Sequence, residues 1–307
     1  MSLIGRTAIL FLLFSLMVSL HAREGLNPGN DSSEVDKKLL TAGIVGGSAV
    51  YLGATAYLFH SVYEDDSFEP FHFYNDRRSF LQVDKLQHAF GTYAATYAGY
   101  NFLHSAGLNR EKSLFYSGSL GFLLAAPKEI FDGFSGGTGF SVFDFTANLI
   151  GSAFFTGQEL LFRDQIMKIK FSFHRSEYAE QSNGYLGRNI LESYFDDYNG
   201  HTYWLSINAN KLIFKDKLPP WLNIAAGYSA NGMFGAFENI DSYRSVIIPE
   251  TERYRQYLIS LDVDWPKINT RSGFLNTMCK LLVFIKLPFP ALEFNSKGEF
   301  KGHWIYF

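Results

Sequence analysis

The sequence has very little cysteine and no excess of positive charge. Cys279 is the single cysteine among 307 residues, which excludes an intramolecular disulfide and a thiolate metal cluster. Because it lies in an apolar run, we interpret it as a small hydrophobic core residue. The formal net charge is −3, so the chain has no basic field to attract nucleic acid. Nucleic acid is therefore excluded as a partner.

The motifs of several large enzyme classes are also missing. The chain contains no G-x-S-x-G nucleophile elbow, no H-E-x-x-H zinc motif and no C-x-x-C pair. A glycine-rich loop, residues 133–139, precedes a predicted helix, where backbone amides can bind anions. It lacks the GK[ST] ending of a P-loop, and no hydrophobic strand precedes it. We therefore favour a tight turn between helices over a phosphate site.

Aromatic side chains, by contrast, are in excess. Phe, Tyr and Trp make up 17% of the residues, with 31 Phe and 18 Tyr. This fraction is high for a soluble domain and is typical of a protein that contacts lipid or a large apolar partner surface. We therefore expect membrane lipid and an envelope protein complex as partners.

The N-terminal residues have the features of an export signal. Arg6 precedes an apolar segment of about 13 residues, which is short for a membrane span and typical of a signal peptide. We predict a signal peptide over residues 1–22 and a polar, flexible lead over residues 23–37, with an uncleaved anchor as the alternative. No cysteine lies directly after the apolar segment, so lipid attachment is not expected. The predicted location is the periplasm or outer membrane of a Gram-negative bacterium.

Four apolar stretches with helical character follow the lead. Small residues recur in them at three- and four-residue spacing, which lets helix backbones approach closely. Charged side chains such as Asp144 and Glu159 interrupt these stretches. We therefore predict a compact, membrane-associated four-helix unit with a polar centre, within a helical domain over residues 38–165. The four stretches are residues 39–63, 83–106, 111–126 and 141–162.

Beyond residue 165 the period changes to two. In residues 257–265, Tyr257, Ile259 and Leu261 share one face, while Ser260 and Asp262 share the other. An apolar face on a strand of about nine residues resembles an outer-membrane strand, and an ordinary sheet packed on helices is the alternative. We predict an α+β fold whose β-rich half, residues 166–307, is a partial barrel or a sheet packed on the helices. Weaker strands are predicted at residues 170–173, 203–208, 222–228, 291–294 and 301–307, and a helix at 272–283.

Three helical segments each carry two polar side chains on one side of the helix, because the spacing is three or four residues. These pairs are Asp84 with His88, Glu129 with Asp132, and Asp144 with Asn148. If the three sides converge, the set is rich in oxygen ligands and has one imidazole. Such a set suits a divalent cation that activates water, or a carboxylate–histidine pair that transfers protons.

We therefore predict one shared polar centre, whose cofactor is open; a divalent cation is one candidate. The predicted catalytic residues are Asp84, His88, Glu129, Asp132 and Asp144. Binding of an anionic group is assigned to Lys85, Lys128 and Asn148. The candidate metal ligands are His88, Glu129, Asp132 and Asp144.

Local structural roles are the alternative for single members of this centre. Ser141 and Asp144 fit a helix capping box, and Asp84 fits a helix cap. Glu129 fits a buried ion pair with Lys85 or Lys128. Pro127 fits the first turn of a short helix, which would place Lys128 and Glu129 in that polar turn.

The order of these motifs resembles the YfiM-like predicted periplasmic lipoproteins, a family of unknown function, and in particular its bacteroidete members. The residues that carry the resemblance are Asp84-Lys85-x-x-His88, Lys128-Glu129-x-x-Asp132 and Phe140-Ser-x-x-Asp144-x-x-x-Asn148-x-x-Gly151. A weaker likeness links the helical part to VanZ-like membrane proteins, which place D-K-x-x-H before a later D-x-x-x-N-x-x-G. The arginine between those two motifs has no counterpart in this sequence. The resemblance implies an envelope location and no particular reaction.

Two functions from different classes are consistent with these patterns. We favour an accessory or plug subunit of an outer-membrane secretion or transport assembly, with no defined enzymatic activity. The alternative is a metal-assisted hydrolase that acts on a lipid-linked or phosphorylated envelope substrate.

Overall fold

A computed structural model describes residues 35–63, 67–214 and 217–307, so the predicted signal peptide and most of the predicted lead lie outside the described residues. The chain forms two compact units. The first consists of the described residues up to Asp76 together with Gly91–Asp164, and the second consists of Arg77–Phe90 together with Gln165–Phe307. Residues 77–90, which the sequence pattern groups with the helices, thus belong to the unit that contains the sheet.

Helices dominate the first part of the chain, as predicted. The third apolar stretch is divided, because the helix ends at Leu123 and a short one begins at Ala126, with Pro127 in its first turn. Asn109 and Ser141 are N-caps whose side chains accept hydrogen bonds from the amides of Lys112 and Asp144. The helices are α1 Lys37–Tyr63, α2 Val83–Ser105, α3 Arg110–Leu123, α4 Ala126–Asp132 and α5 Val142–Phe162.

Small polar side chains connect the helices of the first unit. Thr96 on α2 donates a hydrogen bond to the Ser152 hydroxyl on α5 at 3.0 Å. Ser152 in turn donates to the carbonyl oxygen of Gly118 on α3 at 2.6 Å. Gly121 lies so close to α2 that an added Cβ would be 2.0 Å from Thr96 Oγ1. The small residues of these apolar helices therefore allow a close approach of their backbones.

Helix α1 is the one candidate membrane span in the described part of the chain. Its window Lys37–Ala56 has a mean hydropathy of 1.5, and 11% of that window is buried. Length and composition alone select this helix, and buried core helices and signal sequences share both properties.

The second unit contains the β-rich half, as predicted. Six antiparallel strands form one sheet in the order β1-β2-β3-β6-β7-β8, and the described strands do not close into a barrel, because β1 and β8 are edges. The helix predicted at residues 272–283 is present as Gly273–Leu281. The strands are β1 Met167–Phe173, β2 His201–Ile207, β3 Leu222–Asn231, β6 Tyr254–Val263, β7 Phe289–Asn295 and β8 Phe300–Tyr306. The elements that the sequence did not predict are the hairpin β4 Ser242–Tyr243 and β5 Val246–Ile247 and the helices α6 Glu177–Gln181 and α7 Ile190–Asp196; the helix at 273–281 is α8.

The two faces of this sheet are buried to different degrees, and the more buried one carries charged side chains beside a small apolar cluster that includes Trp204 and Leu258. Lys170 on β1 and Asp262 on β6 are 0% and 2% exposed, and their charged groups are 2.7 Å apart. Lys168 pairs with the buried Asp264 at 2.6 Å. On the opposite face of β6, Ile259 is 62% exposed. Ion pairing inside the unit explains how charged side chains can be buried at this face.

Residues 80–90 pack on the other, apolar face at β1 and β2. Phe90 lies against Phe171 and Tyr203, with ring centroids 5.9 and 5.8 Å apart. Phe80 stacks on Tyr198 at 3.8 Å. The φ angles of Phe80 and Leu81 are 45° and 50°, in the left-handed region that such residues rarely adopt. The Phe80 amide is held by the carbonyl oxygen of Ala236 at 2.7 Å, so packing and hydrogen bonding fix this turn in the second unit.

Candidate functional site

The short helix α4 places a lysine and two carboxylates inside the first unit. Lys128 Nζ lies 2.5 Å from Asp132 Oδ2, one helical turn away. Glu129 and Asp132 are 1% and 7% exposed. Lys128 keeps 27% of its side chain exposed, so it is the most exposed of these three residues.

The first turns of α5 bring two further polar groups to α4. Asn148 Nδ2 donates a hydrogen bond to Glu129 Oε1 at 3.1 Å, and both residues are at most 2% exposed. Asp144, one turn before Asn148, is 5% exposed. The spacing of four residues thus places Asp144 and Asn148 on the buried side of α5, as the sequence predicts.

Electrostatics confirm that these groups lie close together. Burial alone would lower the pKa of Lys128, because it disfavours the charged ammonium. The negative charges of Glu129, Asp132 and Asp144, together with the hydrogen bond to Asp132, outweigh burial and raise the pKa of Lys128 well above its usual value. Lys128 therefore stays charged at any physiological pH.

Capping accounts for part of this arrangement. Ser141 Oγ accepts a hydrogen bond from the Asp144 amide at 3.0 Å, which fixes the start of α5. The Ser141 hydroxyl itself donates to a carboxylate oxygen of Asp76. Asp76 is 7% exposed. It was not among the predicted residues, because its partner is 65 positions away and no local spacing indicates the contact.

The first predicted pair lies at the start of α2, within the second unit. Asp84 Oδ2 forms an ion pair with Lys85 at 2.8 Å, and Asp84 Oδ1 lies 3.8 Å from His88 Nε2. Asp84 and His88 are 8% and 2% exposed. The predicted spacing therefore does place both groups on one side of the helix. Convergence of this pair with the residues of the first unit stays a prediction.

The structure thus unites five of the eight predicted site residues around α4 and the start of α5. We call this group the α4–α5 centre; its members are Lys128, Glu129, Asp132, Asp144 and Asn148. Its ligand atoms are carboxylate and amide oxygens with no sulfur, which suits a hard divalent cation such as Mg²⁺, Mn²⁺ or Ca²⁺. The charged Lys128 ammonium can hold an anionic group beside such a cation.

The glycine-rich loop between α4 and α5 is a turn whose backbone is paired with the segment before α2. The Gly136 amide donates to the carbonyl oxygen of Ser67, and the carbonyl of Gly133 accepts from the His72 amide, both at 2.8 Å. A Cβ at Gly136 would lie 2.1 Å from Ser67 Oγ. Close packing in a turn therefore explains the glycine at this position, in agreement with the predicted turn.

Comparison with known proteins relates one segment of the chain to a family model. Residues 72–157 match the model of a family described as predicted periplasmic lipoprotein (DUF2279). The matched segment includes all eight predicted site residues and covers less than a third of the chain. No curated protein matches this sequence. No solved structure matches it either.

This match confirms the coarser part of the resemblance stated from the sequence. The matched family consists of predicted periplasmic lipoproteins, and the chain is accordingly placed in the Gram-negative cell envelope, as its sequence predicts. The chain's one cysteine, Cys279, lies outside the matched segment. The likeness to YfiM-like and VanZ-like proteins in particular stays a prediction.

Proposed function

We propose that the protein is an accessory subunit of an outer-membrane secretion or transport assembly. The observation that carries this proposal is the apolar surface at the end of α5. Leu160, Leu161 and Phe162 are consecutive and are 63%, 77% and 50% exposed. Three consecutive residues of a helix span about 200° of its circumference, so these large apolar residues extend beyond the single buried stripe of an ordinary surface helix.

Exposure of this kind favours a partner in the envelope. Each square ångström of apolar surface removed from water stabilises the bound state by about 25 cal/mol. Exposed apolar patches on soluble proteins mark contact sites. An exported chain with such a surface is consistent with docking on a larger assembly, and the polar α4–α5 centre does not require a reaction for this role.

Affinity purification of the tagged full chain after mild detergent extraction tests the proposal. We expect an outer-membrane protein to co-purify in a fixed ratio with the wild type. Leu161→Asp should reduce its recovery at least tenfold, because a charge at a desolvated contact is strongly disfavoured. Leu191→Asp is the matched control, since Leu191 is 68% exposed in the second unit. A monodisperse wild type with no partner, or equal losses in both variants, would contradict the proposal.

The α4–α5 centre favours a second candidate, a metal-assisted hydrolase that acts on a lipid-linked or phosphorylated envelope substrate. In this case the carboxylates of Glu129, Asp132 and Asp144 hold a divalent cation that activates water. Lys128 binds the anionic phosphate group of the substrate. His88 joins as a ligand or proton carrier if the convergence predicted from the sequence holds.

Metal analysis of the purified protein separates this candidate from the first. We expect about one divalent ion per chain in the wild type and loss of that ion in Asp144→Asn and Glu129→Gln. His88→Ala reports on the predicted convergence, because loss of a ligand lowers metal content as well. Glu111→Gln, which changes an exposed carboxylate of the same unit, should keep the metal. A wild-type protein that holds no metal after dialysis against Mg²⁺, Mn²⁺ or Ca²⁺ would exclude the hydrolase.

A further inference from the structure

The outward face of the last three strands carries large apolar side chains that no described residue covers. We call it the β6–β8 face. Along β6, Tyr257, Ile259 and Leu261 are 46%, 62% and 50% exposed, at alternate positions. Trp304 on β8 is 90% exposed, the highest value among the exposed large apolar residues of the described chain. The remaining members of this face are Leu292, Phe294 and Phe300, which are 52%, 52% and 68% exposed.

The inward face of the same strands is buried and mostly polar, and its paired charges lie beside a small apolar cluster that includes Trp204, Leu258 and Ala291. Asp262 contacts Lys170 at 2.7 Å and accepts a hydrogen bond from Ser206 at 2.5 Å. Glu293 on β7 is 1% exposed and lies 2.7 Å from His303 on β8. A water-facing sheet has the opposite arrangement, with apolar side chains inside and polar ones outside. Because a shift of one residue would unpair these buried charges, the register fixes the apolar face outward.

Aromatic residues lie near both ends of the strands that carry this apolar surface. Tyr228 on β3 and Tyr257 on β6 are register partners whose rings are 5.6 Å apart. At the other end, Trp221 precedes β3 and Trp265 follows β6. The Asp264 amide, between β6 and Trp265, donates a hydrogen bond to the Trp221 carbonyl oxygen at 2.7 Å. From Trp221 to Tyr228 the strand covers about 23 Å at about 3.3 Å per residue. Outer-membrane proteins have an apolar band about 25 Å tall between aromatic girdles.

Where the protein itself covers this face of the sheet, the side chains differ from those of the open part. At β1 and β2 the same face of the sheet is packed by residues 80–90, where Phe90 contacts the rings of Phe171 and Tyr203. Tyr203 is 4% exposed there. The part of the face that the chain itself leaves open has Tyr257 at one end and Trp304 on its edge strand, and its other named members are aliphatic or Phe side chains. This distribution favours a lipid bilayer over a second protein as the occupant.

We infer that the β6–β8 face lies against the hydrocarbon of a bilayer. The inference rests on the envelope location of the proposed function and adds to it the surface that contacts lipid. Ile259 lies in the acyl-chain region, Trp304 lies at the border of that region, and the mostly polar inward face stays within the protein. Lipid contact at this face needs no partner protein, so it is separable from the accessory role.

Flotation of the full chain with vesicles of phosphatidylethanolamine and phosphatidylglycerol tests the inference. Wild-type protein should float with the vesicles, and Ile259→Lys should lower the bound fraction at least about tenfold, as expected for a charge on a lipid-facing strand. Ile190→Lys is the matched control, because Ile190 is 69% exposed outside the sheet. Wild-type protein that stays in the aqueous fraction, or equal losses in both variants, would overturn the inference.

Quenching of tryptophan fluorescence by lipids with brominated acyl chains keeps the inference testable if Ile259→Lys does not fold. We expect strong quenching in the wild type and loss of most of the quenchable signal in Trp304→Phe. Quenching that is unchanged by Trp304→Phe would place Trp304 outside the bilayer and overturn the inference. Co-purification with an assembly but no binding to vesicles would support the proposed function and overturn this inference. Vesicle binding without any co-purifying partner would support lipid contact at the β6–β8 face and contradict the accessory role.

Discussion

Asn148 donates a hydrogen bond to Glu129 at 3.1 Å and so joins α5 to α4 inside the first unit. Replacing Asn148 by Leu removes this donor from a buried carboxylate that is 1% exposed. We expect the free energy of unfolding to fall by about 1–3 kcal/mol, the cost of leaving such a group short of a donor. Urea denaturation followed by circular dichroism measures the change.

Thr146→Ala is the control for this variant. Thr146 is exposed on the same helix, and its hydroxyl bonds only to the Val142 carbonyl one turn before it in the described contacts. Exposed substitutions of this kind change the free energy of unfolding by less than about 0.5 kcal/mol. An equal effect of the two variants would show that the Asn148–Glu129 contact does not stabilise the unit.

The raised pKa of Lys128 leads to a prediction for the free energy of unfolding at alkaline pH. Its pKa is raised well above the usual value, because the nearby carboxylates outweigh burial. A basic group with a raised folded pKa contributes stability below its unfolded pKa of about 10.4, and this contribution is lost as the pH rises through the folded pKa. We therefore expect the free energy of unfolding of the wild type to fall above about pH 10.

The matched variants are Lys128→Met and Lys112→Met, which removes an exposed lysine of the same unit. Denaturation between about pH 8 and 11.5 covers the unfolded pKa. Lys128→Met should flatten the alkaline decline, and Lys112→Met should leave it as in the wild type. Parallel curves for all three proteins would show that the carboxylates do not stabilise the Lys128 charge.

The long helices and the six strands of the sheet follow from local pattern, and so their prediction from sequence succeeds. The alternation from Tyr257 to Leu261 requires a strand with two unlike faces, whatever surrounds it. That pattern alone leaves open which face is buried, because sheets in water and in lipid share the period of two. The contact of Asp262 with Lys170, 92 residues away in the chain, decides this, and no local signal indicates it.

The α4–α5 centre was predictable for a related reason. Spacings of three and four residues place Glu129 with Asp132 and Asp144 with Asn148 on common helix sides without knowledge of the fold. The role of residues 77–90 was not predictable in this way. The left-handed turn at Phe80 and Leu81 has no glycine or asparagine to indicate it, and tertiary packing in the second unit imposes it.

The close packing of α3 on α2 at Gly121 leaves no room for a larger side chain. A Cβ at this position would lie 2.0 Å from Thr96 Oγ1 and 3.1 Å from the Thr96 amide nitrogen, which cannot move freely. We expect Gly121→Ala to lower the free energy of unfolding by about 1–3 kcal/mol through overpacking. Gly157→Ala is the control, since a Cβ there meets nothing within 4 Å. It should raise stability by about 0.5–1 kcal/mol through helix propensity, and a stabilising effect of Gly121→Ala in the same thermal unfolding assay would contradict the packing.

The buried charges of the sheet give the largest expected effect. Lys170 and Asp262 are 0% and 2% exposed, so Lys170→Met leaves a carboxylate in the interior of the second unit. Loss of one partner of a buried ion pair costs about 3–5 kcal/mol, whereas replacement of both by apolar residues is often neutral. We therefore expect Lys170→Met to destabilise the unit strongly and the double variant Lys170→Met/Asp262→Leu to recover most of the loss. Arg188→Met, which breaks an exposed pair with Glu192 at 3.0 Å, should have no measurable effect. A double variant as unstable as the single one would mean that Asp262 stabilises the inward face through Ser206, independently of Lys170.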